Sequence, residues 1–324
     1  MGRSEVIEFL GDDWVSVRAL LADALHSDIG LLSSTNDSIL SNSGKMLRPI
    51  LALLFARACA GTVSADSRIY AAAVELLHNA TLLHDDVADE SSERRGKPTV
   101  NATLGPQAAV LVGDFWLARA VQLVLTSESG SDEVVRLFAK TLVDLSEGEM
   151  LQLEKASTAN TSEQDYYHII YCKTASLFEA ACVGAAASVD ACPEYREAAS
   201  RYARAAGIAF QIKDDILDYA GDERLGKPVG IDLMERKITL PLLCALEGSE
   251  QEAQIRATVL SIPENPDCCA RVREFVRSRD GVRKAAEKLD EYIEEAVRSL
   301  DVLPAGKARD FLEELVRYNA FRRV

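Results

Sequence analysis

The stretch that most constrains this chain runs from Glu75 to Asp89, ELLHNATLLHDDVAD. It reads as an apolar helix that ends in acid. Val74, Leu77, Leu82 and Leu83 supply a surface to bury, with the small residues Ala80 and Thr81 between them. Residues four apart share a helix face, so Asp85 and Asp89 project together and Asp86 lies beside them. Carboxylates gathered this way repel one another, at a helix end whose dipole is already negative. A hard divalent cation such as Mg²⁺, which takes oxygen ligands and shares them with phosphates, offsets that repulsion. A second run, FQIKDDILD from Phe210 to Asp218, repeats the arrangement with Asp214, Asp215 and Asp218. If the two helices face each other, their acids form a metal cage at the mouth of an apolar cavity. The natural guest is a diphosphate joined to a hydrocarbon.

The rest of the sequence agrees with a helical body. The hydrophobic fraction of 48% is ample for a core, and glycine and proline cluster between periodic segments. No domain boundary is visible, so residues 1–324 are expected to form one domain. A net charge of −15 excludes a nucleic-acid partner, which needs a basic footprint. Seven cysteines without CxxC spacing make neither a disulfide framework nor a zinc site, and reduced thiols in a cytoplasmic protein are expected. The N-terminus lacks a signal-peptide apolar run. No uninterrupted apolar run reaches the ~18 residues a membrane span needs.

Because the chain is acidic overall, its placed cations stand out. Residues from about 5 to 30 show helical periodicity, and residues 33–44 read as a Ser/Asn loop. Then Gly44, Lys45, Met46, Leu47, Arg48 and Pro49 open a helix to about Ala60, where Lys45 and Arg48 beside helix-terminal N–H groups make an anion site. His78, two turns before the first acids, can donate to a phosphate oxygen. Arg94 and Arg95 follow those acids in what reads as a flexible basic loop, with guanidinium forks suited to phosphate. Further helices cover about 100–126 and 132–155, and a capping signal at Thr161 or Ser162 opens another, which carries Lys173 and Thr174 and then a small apolar run. The second acidic helix, 194–220, has Gln211 three residues before Asp214. The stretch from Gly221 to Asp232 reads as a lid, with Lys227 and then Lys237 able to reach the site. Amphipathic helix continues to about residue 320.

With both acidic motifs and these cations placed, the chain resembles the trans-isoprenyl diphosphate synthases, in their long-chain polyprenyl (octaprenyl-type) branch. The residues that carry the resemblance are Gly44, Lys45, Leu47, Arg48 and Pro49, His78, the two DDxxD motifs, Arg94 to Lys97, Lys173 and Thr174, Gln211, and Gly226 and Lys227 through Lys237. It is strong from Gly44 to about Leu243. The family's double glycine before the lysine is Ser43 and Gly44 here. The resemblance implies an all-α bundle of antiparallel helices around a central cavity, usually a homodimer. It implies that Asp85, Asp86, Asp89, Asp214, Asp215 and Asp218 bind two to three Mg²⁺ ions, with Asp85, Asp214 and Lys173 at the chemistry. It places Arg94, Lys173, Thr174, Gln211, Lys227 and Lys237 on an allylic diphosphate, and Lys45, Arg48, His78 and Arg95 on isopentenyl diphosphate.

Product length is read separately. Short-chain members close the cavity with bulky aromatics one turn before the first acidic motif. Here Ala80 and Thr81 occupy those places, with Leu77 and Val74 further up, and each helical turn adds about 5.4 Å of depth. A product of about six to eight isoprene units is expected. The rival readings are a geranylgeranyl diphosphate synthase, which shares every motif, and a non-catalytic partner subunit, which degenerate acidic motifs would mark. No membrane anchor is visible, and a peripheral membrane contact for product release remains open.

Overall fold

A computed structural model describes residues 3–42, 44–128, 132–220 and 230–320. The described residues are helical almost throughout. In chain order the helices are α1 (Arg3–Leu10), α2 (Asp12–Ala24), α3 (Gly30–Ser41), α4 (Leu47–Ala60), α5 (Ala65–Ala88), α6 (Val100–Leu104), α7 (Pro106–Leu125), α8 (Asp132–Thr158), α9 (Glu163–Ile170), α10 (Ser176–Ala187), α11 (Pro193–Ala220), α12 (Ile231–Met234), α13 (Leu240–Leu246), α14 (Glu252–Leu260), α15 (Asp267–Ser278), α16 (Gly281–Ser299) and α17 (Lys307–Ala320). The all-α expectation holds.

The chain divides into two compact units. The first takes residues 1–139, 179–199 and 302–312, and the second 140–178, 200–301 and 313–324. The dividing points in α8, α10, α11 and α17 fall inside helices rather than in linkers, so nothing in the sequence marks them.

In the first unit α5 is the core helix, packed by α2, α4 and α7. Ser64 caps it, accepting from Ser67 N–H while Ser67 Oγ accepts from Ser64 N–H. Three successive alanines, Ala71 to Ala73, bring neighbouring helices close, and Tyr70, Val74, Leu76 and Leu77 are removed from water. Each of the larger side chains stabilises by about 1.5–3 kcal/mol. The expected single helix over 5–30 is broken at Gly11, whose φ of 53° ends α1. The expected loop over 33–44 is instead helix α3 up to Ser41. Its hydroxyls and amides bond back to carbonyls of their own helix, Thr35 to Leu31 at 2.7 Å and Ser41 to Asp37 at 2.7 Å. Asn36 is buried, donating to Leu25 O and accepting from Trp116 Nε1, both at 2.8 Å. Polar composition there therefore marks a bonded helix. The basic loop after the first acids is a β-hairpin, Glu93–Arg94 against Lys97–Pro98. Arg95 and Gly96 form its two-residue turn, with φ of 55° and 75°, the sign a right-twisted hairpin needs at both positions.

In the second unit every residue of α13 is buried, and it packs on α9, α15 and α16. Ser162 is the cap of α9, bonded reciprocally with Asp165. Between α9 and α10 the chain makes a π-helical turn, Tyr171–Ala175. It is crowded from two sides: a Cβ on Gly148 would lie 2.5 Å from Cys172 Cβ, and one on Gly207 would lie 2.5 Å from Ala175 Cα.

Length and mean hydropathy read differently from uninterrupted apolar runs. Two helical runs, Pro106–Leu125 and Glu163–Ala187, are long and apolar enough to cross a membrane. Their few charges are spread along their length, so no uninterrupted apolar run shows. The second is a core helix, mostly buried. Only a third of the first is buried.

Candidate active site

In the first unit α5 delivers Asp85 and Asp89 from its last turn, Asp85 half-buried and Asp89 exposed. Asp86, rotated about 100° around the axis from Asp85, has other partners. Arg94 Nε and a terminal guanidinium nitrogen both lie 2.8 Å from Asp86 Oδ1, and its backbone carbonyl accepts from Asn101 Nδ2 and Ser91 N–H. The expected trio is thus an outward pair plus a buried aspartate that anchors the hairpin. Arg94, expected on a diphosphate, is engaged by Asp86. The adjacent His84 lies 3.2 Å from Asp114 on α7 and packs on Gly113, where any Cβ would strike the imidazole.

A group of cations surrounds His78, two turns before those acids. Met46, held left-handed at φ 49°, starts α4, so Arg48 falls in its first turn and Lys45 stays exposed just before it. Arg95 donates to Asn42 O at 3.2 Å, and its guanidinium lies where a Cβ on Gly44 would be, 2.5 Å from Cζ. That is why glycine stands before Lys45. Burial pushes His78 well below the ordinary imidazole value, and Arg48, Arg95 and Arg94 push it further. His78 is therefore neutral at neutral pH, a one-proton donor set among cations.

Val74, Leu77 and Ala80, expected along a product tail, are all fully buried, and Thr81 donates to His78 O at 2.8 Å. A cavity of about 400 Å³ beside α5 is lined by a different face, Asn79, Leu82, Leu83 and Asp86, with Arg94, Arg95 and Lys97 at its rim.

In the second unit α11 and the π-helical turn make a connected polar set. Tyr166 donates to Asp215 Oδ2 at 2.6 Å, Gln211 Nε2 to Asp215 Oδ1 at 2.9 Å, and Thr174 Oγ1 to Gln211 Oε1 at 3.0 Å. Asp215 is buried, and burial together with the charge of Asp232 holds its carboxyl above the usual carboxylate range. Asp232 is likewise pushed up, by burial first and then by Asp218. Asp218 accepts from the backbone N–H of Ile231 and Asp232 at 3.1 and 3.3 Å, which ties α11 to the start of α12. Lys173 is ion-paired with Glu149, and Lys237 with Glu235. Lys155, Lys173, Gln211, Asp215, Asp232 and Lys237 line a cavity of about 160 Å³. Lys227 and the lid expected from Gly221 lie outside the described residues.

Sequence reasoning missed Tyr166, Asp232 and Glu75. Tyr166 is four residues beyond the Ser162 cap and Asp232 ends the expected lid, but neither belongs to an acidic motif. Among the described residues no three His, Cys, Asp or Glu side chains converge as a metal group. The donors still suit a magnesium ion. They are carboxylates at helix ends, and such an ion fills its remaining positions with water and phosphate oxygen.

A helical body that carries paired acids and clustered cations suits an enzyme that acts on diphosphates. A polyprenyl synthetase family model matches residues 30–277, and the chain belongs to that family. It is 38% identical over 318 residues to an all-trans-nonaprenyl-diphosphate synthase (geranyl-diphosphate specific) of Rhodobacter capsulatus, covering 97% of this chain and 96% of the relative. It is 38% identical over 314 residues to octaprenyl diphosphate synthase of Escherichia coli (strain K12), covering 96% of each. Its structure is similar to that of a Caulobacter crescentus CB15 polyprenyl synthase complexed with calcium and isoprenyl diphosphate. There the TM-score is 0.89 at 35% identity, over 100% of this chain and 98% of that one. The protein is a prenyl-transferring enzyme with the all-α isoprenoid-synthase fold.

Proposed function

We propose that the protein joins isopentenyl diphosphate head-to-tail to an allylic diphosphate, farnesyl or geranylgeranyl, and repeats the step to a long all-trans polyprenyl diphosphate. The cluster of Arg48, Arg94 and Arg95 around a neutral His78, in a chain of net charge −15, carries this reading, because it reserves cations for a polyanion. Lys45, Arg48, His78 and Arg95 hold isopentenyl diphosphate. Arg94, Lys173, Thr174, Gln211, Lys227 and Lys237 hold the allylic diphosphate. Diphosphate binding in this family goes through a divalent metal. Here two to three Mg²⁺ ions would be held by Asp85, Asp89 and Asp214 directly, with Asp86, Asp215 and Asp218 supporting, and would stabilise the departing diphosphate as charge develops on it.

The allylic carbon–oxygen bond breaks with its electron pair leaving on the diphosphate. Lys173 and the arginines steady that charge. The double bond of isopentenyl diphosphate attacks the allylic cation, and a proton leaves to the released diphosphate. Apolar α5 side chains keep water from the cation.

Product length follows α5. Val74, Leu77, Ala80 and Thr81 carry no ring, and at helical spacing the first aromatic on that face is Tyr70, about 22 Å from Asp85 along the axis. This supports a product of about six to eight units. The exposed Val110, Leu111, Val121 and Leu125 of α7 support a homodimer through that face, and seven free thiols support a cytoplasmic setting. A peripheral membrane contact would serve product release. The test is to incubate the protein with isopentenyl diphosphate, farnesyl diphosphate and Mg²⁺ and resolve the dephosphorylated products. A narrow long-chain band that Ala80→Phe shortens is expected. A stop at geranylgeranyl diphosphate sinks the open-helix reading, and no elongation favours a non-catalytic partner subunit.

A further inference from the structure

Glu75 is a charged side chain of α5 to which the proposed chemistry gives no task, and it is buried, 4% exposed. It sits one helical turn before His78 and one turn before Asn79. Its Oε1 is 3.4 Å from Asn79 Nδ2, a weak bond, since that amide gives its better one, 2.7 Å, to the Glu75 carbonyl. Its Oε2 is buried with no hydrogen-bond partner. A carboxyl so placed is costly unless opposed by positive charge. The charges it faces are Arg48 from α4 and Arg95 from the hairpin turn, with the uncharged amide of Asn79 on α5 itself. Burial raises its proton affinity, and Arg48 and Arg95 pull it back. The relation is mutual: burial pushes Arg48 down to about 10, and Glu75 opposes that.

We propose that Glu75 is the interior counter-charge to Arg48 of the isopentenyl diphosphate subsite before substrate arrives, and that the arriving diphosphate displaces it, so that Glu75 takes up a proton as the substrate binds. The inference rests on the assignment of Arg48, His78 and Arg95 to that subsite. An incoming diphosphate satisfies the cations that kept the carboxyl ionised and adds negative charge beside it. Both changes favour the protonated form. The bound proton comes from solvent and returns there on release, so no bond of the substrate changes. By linkage, affinity for isopentenyl diphosphate falls as pH rises, because above the value of Glu75 in the free protein each binding event must first recruit a proton. Glu75 thereby acts as a positioning residue, working through Arg48.

The test is calorimetric binding of isopentenyl diphosphate to the whole protein between pH 7 and 8.5. The allylic subsite is filled with unreactive farnesyl thiolodiphosphate and Mg²⁺, and two buffers of different ionisation enthalpy are compared. His78 can also gain a proton beside a diphosphate, so the series is run in His78→Gln as well. The expected result is net proton uptake that persists in His78→Gln and is lost in Glu75→Gln. Glu75→Gln should also bind about tenfold tighter at the alkaline end, the factor that one pKa unit of displaced interaction is worth, with a flattened pH dependence. Equal uptake in wild type and Glu75→Gln, no uptake in His78→Gln, or weaker binding by Glu75→Gln each overturns the inference. If Glu75→Gln does not fold, the comparison of wild type with His78→Gln still decides. No binding at all sinks the subsite assignment and the inference with it, whereas binding without proton uptake sinks the inference alone.

Discussion

The two acidic motifs are the same five-residue pattern, and the protein uses them differently. On α5 the middle aspartate, Asp86, is neutralised by a cation that reaches it from a hairpin eight residues on. On α11 the middle aspartate, Asp215, is satisfied by two uncharged donors, Tyr166 and Gln211, deep enough that its carboxyl stays raised. The last aspartate differs as well: Asp89 is exposed, while Asp218 is bonded to the backbone that begins α12. Only the first of each set, Asp85 and Asp214, has the same standing in both. Helical spacing fixes which carboxylates share a face. What each one does is set by the neighbouring segment that satisfies it.

That comparison can be broken experimentally. The largest effect is expected where the motifs agree: Asp85→Ala and Asp214→Ala should each lower kcat by ~10²–10³-fold, read from single-turnover product formation. A loss confined to one of them would mean the motifs are not equivalent even there. A smaller effect separates the middle positions. Asp86→Asn removes a charged partner of Arg94 and should destabilise by about 1–2 kcal/mol, discounted for the partial exposure of Arg94, as measured in a denaturant titration. Asp215→Asn should cost little, because an amide resembles a carboxyl that is already held toward its protonated form.

The same substitution carries a pH signature. A carboxyl raised in the folded state binds protons more tightly there than in the unfolded chain, so its contribution to stability is lost as pH rises above the ordinary value of 3.8. Asp215→Asn should flatten that decline in Tm against pH. The smallest effect belongs to His78, which is shifted the other way. Its stabilising share is present above the ordinary value of 6.5 and is lost as pH falls below it, and His78→Gln should remove that loss.

The helices that carry the motifs were legible because their apolar periodicity is long and their ends are capped or acidic. So were the cations, which stand out in an acidic chain. Helix α3 was not, because hydroxyls that bond back to their own carbonyls look in sequence like loop hydroxyls. The hairpin was not legible either and read as a flexible loop, because its strands are two residues each, too short for any alternation to show. Tyr166, Asp232 and Glu75 were invisible for a common reason: each gains its meaning from a partner on another element, Asp215 for the first two and Arg48 for the third. The two-unit division crosses helices, so it leaves no trace in composition.

The π-helical turn at Tyr171–Ala175 has a consequence for how such a chain tolerates length changes. A π-turn is an α-helix that has accepted one extra residue. Removing one residue within it should leave a continuous α-helix, while turning everything on one side by about 100° relative to the other. Lys173 would then leave Glu149, and Thr174 would leave Gln211, although every hydrogen bond of the new helix could be made. A one-residue deletion here is therefore a change that folding would forgive and catalysis would not, whereas the same deletion among the exposed residues 263–266 between α14 and α15 should pass unnoticed by both.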